Sequence, residues 1–193
     1  MVNYDLFNGD ADGIFAWHQL RLVHPREAII VTGVKRDAKL ASRVNASKGD
    51  LVTIMDVSHA KNLVDVQRLL DSGAIIEYFD HHDPKELIDN PNITYHIDTR
   101  PNVSTGLIVN SYVKGENNLW SIATAFGDNH IDLAMKLAAS EDLSDDQILV
   151  LKQIGLVVNY NSYGQTAKDL FYYPEEIAEA VKSCGPDIFQ FTE

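Results

Sequence analysis

Three short stretches of this chain gather side chains that can hold a metal ion. An apolar run, residues 74–79, ends abruptly in Asp80-His81-His82-Asp83-Pro84. A second run, 4–7, stops at Asn8-Gly9-Asp10-Ala11-Asp12-Gly13, and a third, 51–55, stops at Asp56. Carboxylate oxygen with some imidazole is the ligand set that Mg²⁺ and Mn²⁺ favour. Two such ions, roughly 3.5 to 4 Å apart, can clamp the attacking and the leaving oxygen of a phosphoryl transfer. In Asp10-Ala11-Asp12, alternate side chains of an extended turn could address two neighbouring cations. Asp56 could bridge them, and His81 with one further carboxylate could complete the second. Gly9 and Gly13 permit the tight turn and a close helix approach.

Side chains so far apart in the chain meet only if the backbone delivers them. Strands are expected at residues 2–7, 27–31, 51–55, 74–79 and 93–97, with helices at 12–23, 37–44 and 60–70 between the first four. Alternating strands and helices predict βαβ units, and hence an α/β fold built on a five-stranded parallel sheet with flanking helices. In such a sheet ligands bind outside the carboxyl ends of the strands, so three strands ending in carboxylate or imidazole converge on one crevice. The second half reads as mostly helical, with helical spacing over 104–113, 119–126, 131–139 and 145–158. Ser144 and Gln147 sit as a capping box for the fourth of these. A last short helix opens at Pro174.

Composition narrows the function classes. With 193 residues and 45% hydrophobic content the chain can fill one ordinary core. No run approaches the roughly eighteen apolar residues of a membrane span, and no signal peptide precedes the first strand, so a cytoplasmic protein without a membrane partner is expected. The single Cys184 excludes an internal disulfide and a thiolate metal cluster. A formal net charge of −12 argues against sequence-independent binding of long nucleic acid, which needs Lys and Arg to displace counterions. It leaves room for a short phosphorylated substrate, since bound divalent cations invert the local sign.

Asn8-Gly9-Asp10-Ala11-Asp12-Gly13, Asp56-Val57-Ser58, Asp80-His81-His82-Asp83 and Gly127-Asp128-Asn129, in that order, resemble the four motifs of the DHH phosphoesterase superfamily. That group includes RecJ-type exonucleases, nanoRNases, cyclic-dinucleotide phosphodiesterases, exopolyphosphatases and manganese pyrophosphatases. The resemblance implies a metal-dependent hydrolase of phosphoester bonds with two Mn²⁺ ions, or Mg²⁺, and a metal-activated water as nucleophile. Asp10 would ligate the first ion, Asp12 the second, and Asp56 would bridge them. His81 and Asp128 would ligate the second ion, His82 would contact a substrate phosphate or leaving group, and Asp80 would orient the histidines. The pattern departs from the family at two positions: Leu6 stands where many members place a histidine, and Asn8 where the exonuclease branch has aspartate. Asn8 can still offer an amide oxygen to the first ion. Few residues follow Gly164, too few for the family's usual second domain. The expected organisation is a DHH domain over 1–164 and, over 165–193, an extension or the start of a truncated second domain.

Phosphate contacts must then come from elsewhere. Lys35 and Arg36 follow the second strand at the same sheet end, Arg100 follows the fifth, and Ser104 and Thr105 open a helix whose amides would face an anion. For Lys35, Arg36 and Arg100 the alternative is ordinary ion pairing on an acidic surface, and for Ser104 a plain N-cap. The motif aspartates taken singly read as helix caps, and His81-His82 as loop histidines. His59 is a further candidate to line the cleft. Tyr160, Tyr163, Phe171, Tyr172 and Tyr173 could stack on bases or pack at a chain end. The sequence therefore supports a hydrolase of a small nucleotide or short single-stranded oligonucleotide. Its competitors are a non-catalytic DHH-type scaffold for nucleic acid or a protein partner, and a polyphosphate or pyrophosphate phosphohydrolase.

Overall fold

Phe7, at the end of the strand Asn3–Phe7 (β1), is fully buried, and this strand is the pivot of the sheet. In the computed structural model, which describes residues 1–192, β1 pairs on one side with Ile29–Val31 (β2) and on the other with Leu51–Met55 (β3). Ile75–Asp80 (β4) and Ile93–Ile97 (β5) complete the order β2-β1-β3-β4-β5, every pairing parallel. The chain leaves β1 toward β2 and then crosses back to β3 on the far side. The connections after β1 and β3 therefore diverge, leaving a crevice between their carboxyl ends.

Alternation along each strand divides the core in two. Leu6, Val52, Ile54, Ile76 and Tyr78 point to a face covered by His59–Asp71 (α2) and a 3-10 turn at Leu40–Arg43. Phe7, Met55 and Phe79 point to the opposite face. There Ala11–Val23 (α1) packs together with the helices of the second half: Thr105–Tyr112 (α3), Asn118–Gly127 (α4), Ile131–Ala138 (α5) and Asp145–Asn161 (α6). Pro174–Cys184 (α7) lays Ile177, Ala178 and Val181 into this same core against α1. Among the described residues no helix is long and apolar enough to cross a membrane.

The expected five-stranded parallel sheet, flanking helices and helical second half are present, and Ser144 and Gln147 form their capping box. The expected helix over 37–44 is not; only the 3-10 turn forms. Side chains of α2 take over the backbone groups a helix would have paired. Asn62 donates to Ala38 O and accepts from Ala41 N–H, while Arg68 donates to Ala41 O and Val44 O.

α4 matters most for the site, because its C-terminus carries Asp128. It crosses α6 at Gly155, where a Cβ would lie 2.1 Å from Ala123 O and 2.9 Å from Gly127 N. Only a bare backbone allows this approach. Gly155→Ala must push α6 off α4, at a cost of about 1–3 kcal/mol for an overpacked core position. A lowered urea midpoint at unchanged m-value is expected, and an unchanged midpoint would show that the contact carries no constraint.

Candidate metal centre

Each candidate ligand sits where an element of secondary structure starts or stops. β1 ends at Phe7, and Asp10 caps α1, its Oδ1 accepting the Gly13 N–H at 3.1 Å. Two residues on, Asp12 turns back across the crevice and is fully buried. Its Oδ2 accepts Thr105 N–H at 2.8 Å and its Oδ1 accepts Gly106 N–H at 2.6 Å, both from the first turn of α3. The amides of α3 thus face an anion, as expected, but the anion is the protein's own. A buried carboxylate on a helix N-terminus combines charge-assisted hydrogen bonds with the favourable end of the helix dipole.

Asp56 follows β3 with a φ of 55°, a left-handed conformation that Asp adopts more readily than most residues but still at some cost. Its backbone N–H is tied to Phe79 O at 3.0 Å, so the turn is held by the neighbouring strand. Asp80, at the end of β4, accepts the His82 ring Nδ1 at 2.7 Å and the His81 backbone N–H at 2.9 Å. The His81 ring is oriented by a different group, Val103 O, 2.9 Å from Nδ1. A carbonyl can only accept, so Nδ1 carries a proton and Nε2 is the ring nitrogen turned toward the carboxylates. That Nε2 lies 3.4 Å from Asp56 Oδ1 and 3.7 Å from Asp12 Oδ2. One ligand atom each from Asp56, His81 and His82 lie within 4.8 Å of one another.

The electrostatics call for a cation. Burial, then Asp12, Asp10, Asp80 and Asp128, push the Asp56 carboxyl well above the usual carboxylate range. Burial also raises Asp12, with His81 opposing and Asp10 adding. Asp128, at the C-terminus of α4, is pushed up to about 9 by burial and by Asp12 and Asp10, against the pull of Lys35. Among the described residues, Asp128 Oδ2 and Asn8 Oδ1 are buried without a hydrogen-bond partner. Unpaired buried oxygens, raised carboxylates and an oriented imidazole nitrogen are the groups a divalent cation would satisfy, and Asp56, His81 and His82 bring ligand atoms close enough to share one. The cleft above, lined by Asn8, Lys35, Asp56, Ser58, Lys61 and His82, encloses about 50 Å³, room for an ion and a water rather than a nucleotide.

Lys35 reaches this centre as an ion pair, its Nζ 2.7 Å from Asp10 Oδ2. The other basic candidates do not reach it. Arg36 is exposed and lines a separate cavity with Arg43 and Tyr173, and Arg100 folds back onto Asp98 in a surface pair 79% exposed on the arginine side. A short-range partner two residues away captures Arg100 before any cleft can. Ser104 is fully buried and makes no capping hydrogen bond, and the Thr105 N–H is spent on Asp12, leaving its Oγ1 3.4 Å from Asp56 Oδ1. Neither residue is open to a substrate. His59 packs beneath the sheet end against Tyr78 and Tyr95, bonded to the Tyr95 hydroxyl. Sequence reasoning missed Lys61 and Asn159, and offered Tyr163 only as a base-stacking or packing aromatic. Lys61 lies five residues beyond Asp56 in the first turn of α2, a spacing that could have flagged it; Asn159 and Tyr163 reach the centre only through the packing of α6. A second buried charge cluster, Asp5 with Arg21, Arg26 and Trp17, faces the amino end of β2 and pairs both Asp5 oxygens internally.

No protein-family model matches the chain, and no curated protein matches it. Among solved structures it is similar to one described as a DHH domain of a member of the s1p family of ribosomal proteins, at 14% identity and a TM-score of 0.65, over 99% of this chain and 54% of the other. Two looser likenesses are an uncharacterized protein from Helicobacter pylori (13% identity, TM-score 0.47, 100% and 60% coverage) and exonuclease RecJ bound to manganese (12%, 0.46, 98% and 59%). The chain thus spans little more than half the length of the structures it matches, and its fold is that of a DHH domain.

Carboxyls raised in the folded state bind protons that the unfolded chain has already released, so stability must fall as pH rises through that window. For Asp128 the window runs from its ordinary value, 3.8, to about 9, with Asp56 and Asp12 shifted in the same direction. Metal-free protein should therefore melt at progressively lower temperature between about pH 7 and pH 9, and Asp56→Asn should flatten that slope and raise the melting temperature at the upper end. A slope unaltered in Asp56→Asn would refute the crowding of charge described above.

Proposed function

We propose that this DHH-fold chain is a divalent-metal-dependent hydrolase of phosphoester bonds, acting on a small nucleotide or a short single-stranded oligonucleotide. One observation carries the reading: His81 Nε2, its ring oriented by Val103 O, lies 3.4 Å from Asp56 and 3.7 Å from Asp12, and Asp128, whose charge acts on Asp56, leaves Oδ2 buried and unpaired. Asp12, Asp56, His81 and Asp128 would hold the ion, with manganese the proposed metal and magnesium its competitor. When bound, such a cation supplies neutralising charge for a phosphoryl group and makes water acidic enough to attack it.

The protein's own groups supply the rest. His82 is half-exposed at the cleft, and its hydrogen bond to Asp80 outweighs burial and raises the imidazole above its ordinary value. With Nδ1 engaged, Nε2 is free to donate to a phosphate oxygen or a leaving alkoxide. Asp80 holds that ring's direction and so acts as a positioning residue. Lys35 and Lys61 give the cleft the positive charge that attracts a phosphate.

The cleft is too small for a whole nucleotide, so the remainder of the substrate lies across its rim. There the exposed Tyr163 carries the Lys35 ammonium 5.5 Å from its ring centre, and three residues earlier in the chain Tyr160 stacks on Phe171, both exposed. Exposed aromatic faces beside a phosphate-attracting group suit nucleobases, which supports a nucleotide over polyphosphate or pyrophosphate.

Hydrolysis of a dinucleotide, a cyclic dinucleotide, polyphosphate and pyrophosphate in Mn²⁺ separates the substrate classes, with the dinucleotides expected to be cleaved. Asp56→Asn should lower that rate by more than about 100-fold, beyond what loss of an outer-sphere partner costs, with an unchanged far-UV spectrum. Wild-type rates in this variant would end the metal-hydrolase reading.

A further inference from the structure

The number of cations at the centre can be argued from Asp10, on the premise of the metal-dependent hydrolysis proposed above. Asp10 is engaged at both oxygens. Oδ1 accepts the Gly13 N–H and so fastens α1, and Oδ2 holds Lys35 Nζ at 2.7 Å.

Lys35 is not a mobile surface lysine that happens to lie near. Its side chain is 32% exposed, and its backbone N–H donates to Ser162 O, clamping the loop after β2 onto the end of α6. The ammonium donates also to Asn159 Oδ1 at 3.1 Å and lies over the Tyr163 ring. Three elements, α1, the loop after β2 and α6, thus build one seat for one positive charge. That is the arrangement of a structural cation, and the cation is covalently part of the chain.

Beside Asp10, Asn8 Oδ1 is buried without a hydrogen-bond partner, so it is the ammonium that occupies the place a second ion would need. A divalent ion on Asp10 would have to displace the ammonium or sit beside it, and like charges sharing one carboxylate repel. At Asp56 and Asp12 the situation is different: the His81 Nε2 lies 3.4 Å and 3.7 Å from the two carboxylates, and no lysine or arginine pairs with either of them among the described residues.

We infer that the centre takes one divalent cation, at Asp12, Asp56, His81 and Asp128, and that the Lys35 ammonium on Asp10 stands in the place of a second. The ammonium balances Asp10 permanently and can attract a phosphoryl oxygen, but it brings no exchangeable water. The nucleophile therefore depends on a single ion.

Titration of the metal-free protein with Mn²⁺, followed by calorimetry and by electron paramagnetic resonance, reads the count directly and independently of turnover. The wild type should take up one tight equivalent with the six-line spectrum of an isolated ion. Lys35→Met should take up two, the second showing spin coupling to the first, and Lys35→Arg, which keeps the charge, should stay at one. Two equivalents in the wild type would overturn the inference while leaving metal-dependent hydrolysis intact. One equivalent in Lys35→Met would overturn the role given to Lys35. No uptake by the wild type would remove the hydrolase premise and the inference with it, so the two failures are told apart.

Discussion

Like charge gathered in one buried crevice is the constraint around which this molecule is arranged. Asp10, Asp12 and Asp56 are buried, Asp80 is buried beneath them and Asp128 beside them is partly so, with every charge raising the cost of its neighbours. In a medium of low dielectric such a set survives only if each carboxylate is paired, hydrogen-bonded or protonated. The structure answers residue by residue. Asp10 has Lys35, Asp12 has the amides of α3, and Asp80 has His82 and a backbone amide. Asp56 and Asp128 are left without comparable compensation, and they mark where a cation is wanted. The left-handed backbone at Asp56 adds conformational cost at the same spot, a combination that favours function over stability.

This constraint explains what the helical second half does for the site. α3 contributes the amides that hold Asp12, and the loop before it contributes Val103 O, which orients the His81 ring. α4 contributes Asp128 at its C-terminus, and α6 contributes Asn159 and Ser162, which fix Lys35. The parallel sheet brings the negative charges together; the helices packed on one of its faces deliver most of the groups that make them tolerable. The bare contact at Gly155 is therefore more than packing, since it sets how far Asp128 and the Lys35 seat stand apart.

The motif residues were legible because metal chemistry needs particular side chains and a parallel sheet needs strand ends to carry them. Strands ending in Asn8 to Asp12, Asp56 and Asp80 to His82 can be read from apolar runs that stop at ionisable residues. The basic residues were not legible in the same way. Lys35 and Arg36 are neighbours in one loop, yet one pairs with Asp10 and the other faces solvent over a different cavity. Arg100 is taken by Asp98, and the amides at Thr105 and Gly106 are taken by Asp12, far away in the chain. Long flexible side chains and free amides go to whichever partner the fold brings nearest, and no local pattern records that partner. The helix expected over 37–44 failed for a related reason, its backbone groups being claimed by Asn62 and Arg68 of α2.

By itself the sequence determined the sheet, its parallel sense and the set of carboxylates and imidazoles at its carboxyl end, because periodicity and side-chain chemistry are local properties. Only the tertiary structure decided how those groups share protons and charge: that Asp12 is held by a distant helix, that His81 presents Nε2, and that Lys35 is committed to Asp10. Pairing in a buried site is settled by distances of a few ångströms between residues far apart in the chain, and such distances exist only once the core has closed.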